Sequence, residues 1–182
     1  MAGGEGVPAS AERPERIVIV GLGSPLLRDD AVGLRAADLL AERLSGAPVD
    51  VLQSSWGGIR FIDLLAGYDR AIVVDAIEWR QGPIGTVYRL SADQAIPTVR
   101  AMSYHDLSLG SALALGRALD IPLPAETVFF AVEAEETRTF GETLTPAVEA
   151  ALPEVVRRVE AQLMQWNVRW GEPCTKPVSH ST

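Results

Sequence analysis

Apolar residues along this chain fall into short unbroken runs separated by stretches of helical period. Ile17-Val18-Ile19-Val20, Val49-Asp50-Val51-Leu52, Ala71-Ile72-Val73-Val74 and Thr127-Val128-Phe129-Phe130-Ala131-Val132 are rich in β-branched residues and, the second apart, hardly alternate. That pattern predicts strands buried on both faces of a parallel sheet. Between the runs, helical spacing predicts a helix over residues 31–44 and a short one with Ile59, Ile62, Leu64 and Leu65 on its apolar side. A third is predicted over 104–119, with Leu109, Ala112, Leu113 and Leu119 inward. The last carries a stripe of Val148, Leu152, Val155, Val159, Leu163 and Trp166, with Thr145 as its cap, Pro146 in its first turn and Pro153 interrupting it. Residues 85–90 (GTVYRL) follow the third run after too few residues for a crossover helix, which predicts an antiparallel edge strand. The implied fold class is α/β: a three-layer α/β/α arrangement with a mostly parallel, twisted five-stranded sheet, one antiparallel edge strand and helices on both faces.

Composition narrows this to one domain. A chain of 182 residues with 47% hydrophobic content can bury a sizeable core. The domain is expected over residues 16–167, between a disordered leader (1–15) and a disordered tail (168–182). The net charge of −8 argues against nucleic acid as a partner, because phosphate binding needs clustered Lys and Arg. Cys174 is the only cysteine, so the chain can form neither a disulfide framework nor a CxxC site. No signal-peptide pattern and no run of membrane-spanning length occurs, so no membrane association is expected and the expected compartment is the reducing cytoplasm. The expected state is a monomer.

Candidate chemistry sits where strands hand over to helices. The first strand runs into Gly21-Leu22-Gly23, and Arg28-Asp29-Asp30 stands directly before the next helix. One Asp suffices to cap that helix, so either residue taken alone reads equally well as a cap. The third strand runs into Asp75, whose desolvation would cost several kcal/mol without solvent, a donor or a cation. His105, at the start of the third helix, is one of two histidines; the other, His180, lies in the tail. Each residue alone also has a plain structural reading: a cap, a carboxylate accepting loop N–H groups, a structural imidazole. In a doubly wound sheet, however, Asp30, Asp75 and His105 all reach the carboxyl edge, where such folds bind ligands. Two carboxylates and an imidazole suit zinc, nickel or manganese and leave coordination positions open. The glycine loop lacks both the third glycine of a dinucleotide fingerprint and a Walker lysine, which argues against a nucleotide-binding module.

The successive motifs GLGSPLLRDDAVG, GYDRAIVVDAI, GPIGTVYRL, SYHDLSLGSAL and GETLTPAVEAALP resemble those of the nickel–iron hydrogenase maturation endopeptidases, over about residues 16–165. The resemblance implies an endopeptidase that removes the C-terminal extension of a hydrogenase large-subunit precursor after nickel insertion. Such enzymes are classed as aspartic-type, with substrate-metal recognition. It places the family's metal-binding and catalytic residues on Asp30, Asp75 and His105, and leaves Asp29 to cap the helix, so that Asp29→Asn would cost little. The nickel is implied to arrive with the precursor, zinc or another divalent ion standing in for it in isolated protein. Two departures stand out: Ser24 replaces the usual Asn, and Gln53-Ser54-Ser55-Trp56 replaces an Asp-Gly-Gly-Thr-like stretch. The second keeps an alternative open, a non-catalytic chaperone that recognises nickel-loaded precursor.

Overall fold

The computed structural model describes residues 13–55, 60–91 and 109–171. Five strands form one sheet: β1 (Ile17–Leu22), β2 (Val49–Ser54), β3 (Arg70–Ile77), β4 (Val87–Ser91) and β5 (Glu126–Glu133). Their order is β2-β1-β3-β5-β4, with β1, β2, β3 and β5 parallel and β4 antiparallel to β5 at the edge. The helices are α1 (Val32–Arg43), α2 (Arg60–Leu65), α3 (Leu109–Ala118), α4 (Pro146–Glu149) and α5 (Leu152–Gln165). This is the expected three-layer architecture with its antiparallel edge strand.

Side chains alternate across each strand, and the two faces build two cores. Ile17, Ile19, Ile72, Val74, Val128 and Phe130 pack against α1 and α5. Val18, Val20, Val73 and Phe129 pack against Phe61 and Leu65 of α2 and Leu113 of α3. The inner strands β1, β3 and β5 are buried on both sides because each side meets a helix layer.

The details depart from the expected boundaries in ways that bear on function. Strand β3 continues through Asp75 to Ile77, so Asp75 lies inside the strand rather than at its end. Strand β5 takes in Glu133, one residue past the apolar run that predicts it. Leu119, expected inward, lies just beyond α3 with 59% of its surface exposed. Pro153 does break the C-terminal helical stretch, at the first turn of α5, where its missing N–H has no partner to lose. At the ends, Arg13 pairs with Asp69 and Glu15 with Arg70, while Val168 is buried in the α1/α5 core, so ordered structure reaches past the expected domain limits on both sides. Among the described residues, no helix is long and apolar enough to cross a membrane.

Candidate active site

From β1 the chain moves outward to β2, then returns across β1 to β3 on its other side. The crevice at the carboxyl ends of β1 and β3 is therefore a topological switch point, the usual ligand position in open α/β sheets. Two glycines bring the acids to it. A Cβ on Gly33 would lie 2.1 Å from the Leu22 carbonyl oxygen and 2.4 Å from that of Val74, so only glycine lets the first turn of α1 rest on the ends of β1 and β3. A Cβ on Gly23 would lie 2.1 Å from the carbonyl oxygen of Asp30, so the glycine loop folds directly over this acid. Asp30 thus occupies the turn at the head of α1, and Asp75 directly follows the strand residue that α1 touches.

Both carboxylates are buried. Asp30 Oδ2 accepts the main-chain N–H of Ser24 at 2.7 Å. Asp75 Oδ1 accepts that of Ala76 at 2.9 Å. By strand alternation, Asp75 lies on the face covered by α2 and α3, the helix that His105 precedes in sequence. His105 itself falls outside the described residues, as does Trp56. Among the described residues, no three His, Cys, Asp or Glu side chains gather into a metal-holding group. The two acids offer hard oxygen donors, a chemistry that fits a divalent cation.

Asp29 behaves otherwise than expected. The 3₁₀ turn Asp29–Ala31 that leads into α1 has no side-chain cap. Instead Asp29, wholly buried, turns to the segment after β5. Its Oδ1 accepts Thr145 N–H at 2.7 Å, and its Oδ2 accepts from Thr145 Oγ1 at 3.1 Å and from the N–H groups of Glu135 and Glu136 at 3.3 and 3.1 Å. Thr145 likewise spends its hydroxyl on Asp29 rather than on capping α4. The adjacent acids therefore diverge: Asp30 faces the glycine loop, and Asp29 ties the head of α1 to a distant loop.

A further acid, Glu133, lies in the same neighbourhood, and its sequence pattern does not single it out. It is fully buried at the end of β5, paired in register with Ile77. Its carboxylate accepts the Arg80 N–H at 2.9 Å and the Tyr88 hydroxyl at 3.0 Å. Burial, and then this bond, hold the Tyr88 phenol above its usual pKa. Arg80 has φ +57°, so Glu133 steadies a left-handed bend just beyond β3. Thr137 Oγ1 donates to Glu78 and ties the same bend to the loop after β5. The signal in sequence is slight: an acid directly following an apolar run, as for Asp75.

The atypical segment, which begins in the last residues of β2, has a structural task. Gln53 Nε2 donates to the Leu34 carbonyl at 3.0 Å and to Asp38 Oδ1 at 2.6 Å, bracing α1. The Ser54 carbonyl accepts Gly23 N–H at 3.1 Å, holding the glycine loop to β2. At Ser24, the hydroxyl accepts the Leu26 N–H at 3.4 Å, closing a local turn.

Fold and site define a doubly wound α/β protein that carries buried carboxylates at its switch point. The hydrogenase maturation protease family model matches residues 34–162. The hydrogenase 2 maturation protease of Escherichia coli (strain K12) is 30% identical over 157 residues, which cover 84% of this chain and 93% of that protein. The hydrogenase maturating endopeptidase HybD from E. coli superposes with a TM-score of 0.71 at 26% identity, covering 85% of this chain and 95% of its own. The [NiFe] hydrogenase maturation protease HybD from Thermococcus kodakarensis gives 0.61 at 26% identity, covering 81% and 98%. The chain belongs to the hydrogenase maturation protease family.

Proposed function

We propose that this protein is the endopeptidase that removes the C-terminal extension of a nickel-loaded hydrogenase large-subunit precursor, acting as a cytoplasmic monomer. The observation that supports the reading is that Asp30, at the head of α1, and Asp75, in β3, are both buried at the switch-point end of the sheet, in a member of this family. Nickel already seated in the precursor is the ion these carboxylates grasp, with His105 as third ligand. Ligation docks the scissile peptide at the carboxyl edge. There a metal-bound carbonyl is polarised or a water activated; a carboxylate acting as general base, the aspartic-type route, uses the same residues. Because the ion travels with the substrate, the isolated protein binds nickel, or zinc in its place, only weakly. Gln53 braces α1 and Ser54 holds the glycine loop, so the substituted segment supports the catalytic geometry, which favours the peptidase over the non-catalytic chaperone.

The test is truncation of the precursor on a gel. Nickel-loaded precursor is expected to be shortened and nickel-free precursor left intact. Binding of nickel-loaded precursor without truncation would instead establish the chaperone, and tight stoichiometric metal in the purified protein would indicate a resident metallopeptidase centre.

A further inference from the structure

The residue that follows the glycine loop is held on every side. Ser24 N–H donates to Asp30 Oδ2 at 2.7 Å, and the Ser24 carbonyl accepts the Leu27 N–H at 3.3 Å across a turn that contains Pro25. Proline at the second position of a turn presets its geometry and restricts the backbone of the residue before it. One residue upstream, Gly23 N–H bonds the Ser54 carbonyl at 3.1 Å, so the loop is anchored to β2 as well. The Ser24 hydroxyl accepts the Leu26 N–H at 3.4 Å. That contact uses a lone pair of the oxygen and leaves the hydroxyl proton without an acceptor among the described residues. The free donor therefore sits on a half-buried residue, just past the carboxyl end of β1, whose own main chain grips Asp30.

We infer that Ser24 is a further catalytic residue of this site, its O–H donating a hydrogen bond to the carbonyl oxygen of the scissile peptide as that oxygen becomes negative. The inference rests on the precursor-processing reading above. In hydrolysis, water adds to the scissile carbonyl carbon and the π pair moves onto the carbonyl oxygen. The pair returns when the C–N bond breaks, and the proton lost by the water passes to the leaving amine. Ser24 keeps its own proton throughout and forms no bond to carbon; a nucleophilic serine needs a base within hydrogen-bond reach, and no described residue accepts from this hydroxyl. A donor fixed before the substrate arrives is most effective where charge develops during the reaction. Because the bond strengthens only as that charge forms, it speeds cleavage without tightening binding of the precursor.

The experiment is single-turnover processing of nickel-loaded precursor from the same organism by wild type, Ser24→Ala and Ser24→Asn, over a range of enzyme concentrations. Ser24→Ala keeps the main-chain N–H to Asp30 and returns the exposed Leu26 N–H to water, so its thermal transition is expected to match wild type. Its maximal rate is expected to fall at least about thirtyfold, with the half-saturating enzyme concentration within about twofold of wild type. Ser24→Asn, which offers an amide N–H and no hydroxyl, is expected to recover to within about tenfold of wild type. A smaller fall in Ser24→Ala, or a loss confined to half-saturation, overturns the role while processing by wild type stands. Equal loss in Ser24→Ala and Ser24→Asn also overturns it, in favour of a hydroxyl that attacks the peptide itself. If Ser24→Ala loses its thermal transition, Ser24→Cys decides, since a thiol of similar size is a weak donor: a lowered maximal rate supports the role, and an unchanged one overturns it. Failure of wild type itself to cut the precursor overturns the processing reading and the Ser24 role together.

Discussion

The two edges of the sheet handle their acids in opposite ways. At the amino edge, Asp69 accepts from the Arg16 N–H at 2.7 Å and from the Arg13 guanidinium at 2.6 and 2.8 Å, in contact with solvent. The Arg16 N–H first, and the Arg13 guanidinium second, hold its carboxyl below the usual range. With Glu15, Arg70 and Glu126 it lines an open hollow of about 720 Å³. At the carboxyl edge, Asp29, Asp30, Asp75 and Glu133 are all buried, each accepting main-chain N–H groups. Water supports a surface carboxylate at little cost, whereas a buried one costs several kcal/mol unless it is bonded. Acids concentrated where they are costly are better candidates for chemistry than those that line this open hollow.

The sharpest way to break this contrast is to remove the acids edge by edge. Asp30→Ala, Asp75→Ala and His105→Ala are each expected to lower processing at least about a hundredfold while leaving a cooperative thermal transition. Asp69→Ala and His180→Ala should process normally; comparable loss in Asp69→Ala would erase the distinction between the edges.

Next in size is the division between the adjacent acids. Asn at position 29 offers one acceptor oxygen and sets an NH₂ against N–H donors, so Asp29→Asn is expected to destabilise by about 2–3 kcal/mol. Calorimetry should show Tm falling by roughly 5–10 °C, with residual folded protein still active. Asp30→Asn should reverse the pattern, folded but inactive. Full stability in Asp29→Asn would show that its bonds to Thr145, Glu135 and Glu136 contribute little.

A smaller effect sharpens the role of Glu133. Tyr88→Phe leaves a buried carboxylate oxygen without this donor, an expected cost of about 1–3 kcal/mol in urea unfolding. The ring's packing on Trp79, at 5.4 Å between centroids, is retained.

The smallest expected effect lies at the amino edge and depends on pH. Because the folded-state pKa of Asp69 is lowered, its contribution to stability is complete above the unfolded value of about 3.9. It is lost as pH falls through the lower folded value. Asp69→Asn should therefore differ slightly from wild type at neutral pH, and acid unfolding should show that difference closing at the lowest pH. A gap that widened on acidification would contradict the assignment.

Much of this molecule is written in local pattern. Unbroken β-branched runs identify β1, β3 and β5 because a parallel strand covered by helices on both faces needs no polar side. Short spacing after β3 identifies the antiparallel edge strand, and Pro153 marks the start of α5, since backbone chemistry acts on its immediate neighbours. Asp75 is legible as a candidate because it follows a run that would otherwise exclude charge, and Asp30 because it stands between the glycine loop and the next helix. What lies beyond the sequence is the choice of partner. Nothing near Asp29 announces that its bonds go to Thr145, Glu135 and Glu136, so in sequence it resembles a cap for its own helix. Around Glu133 the sequence offers only the apolar run before it, until pairing with β3 and β4 sets it under Tyr88 and the Arg80 bend. Local period decides which residues face inward, because geometry repeats every few positions along the chain. Which buried polar groups meet is decided by strand order, register and loop crossing, and these exist only once the chain has folded.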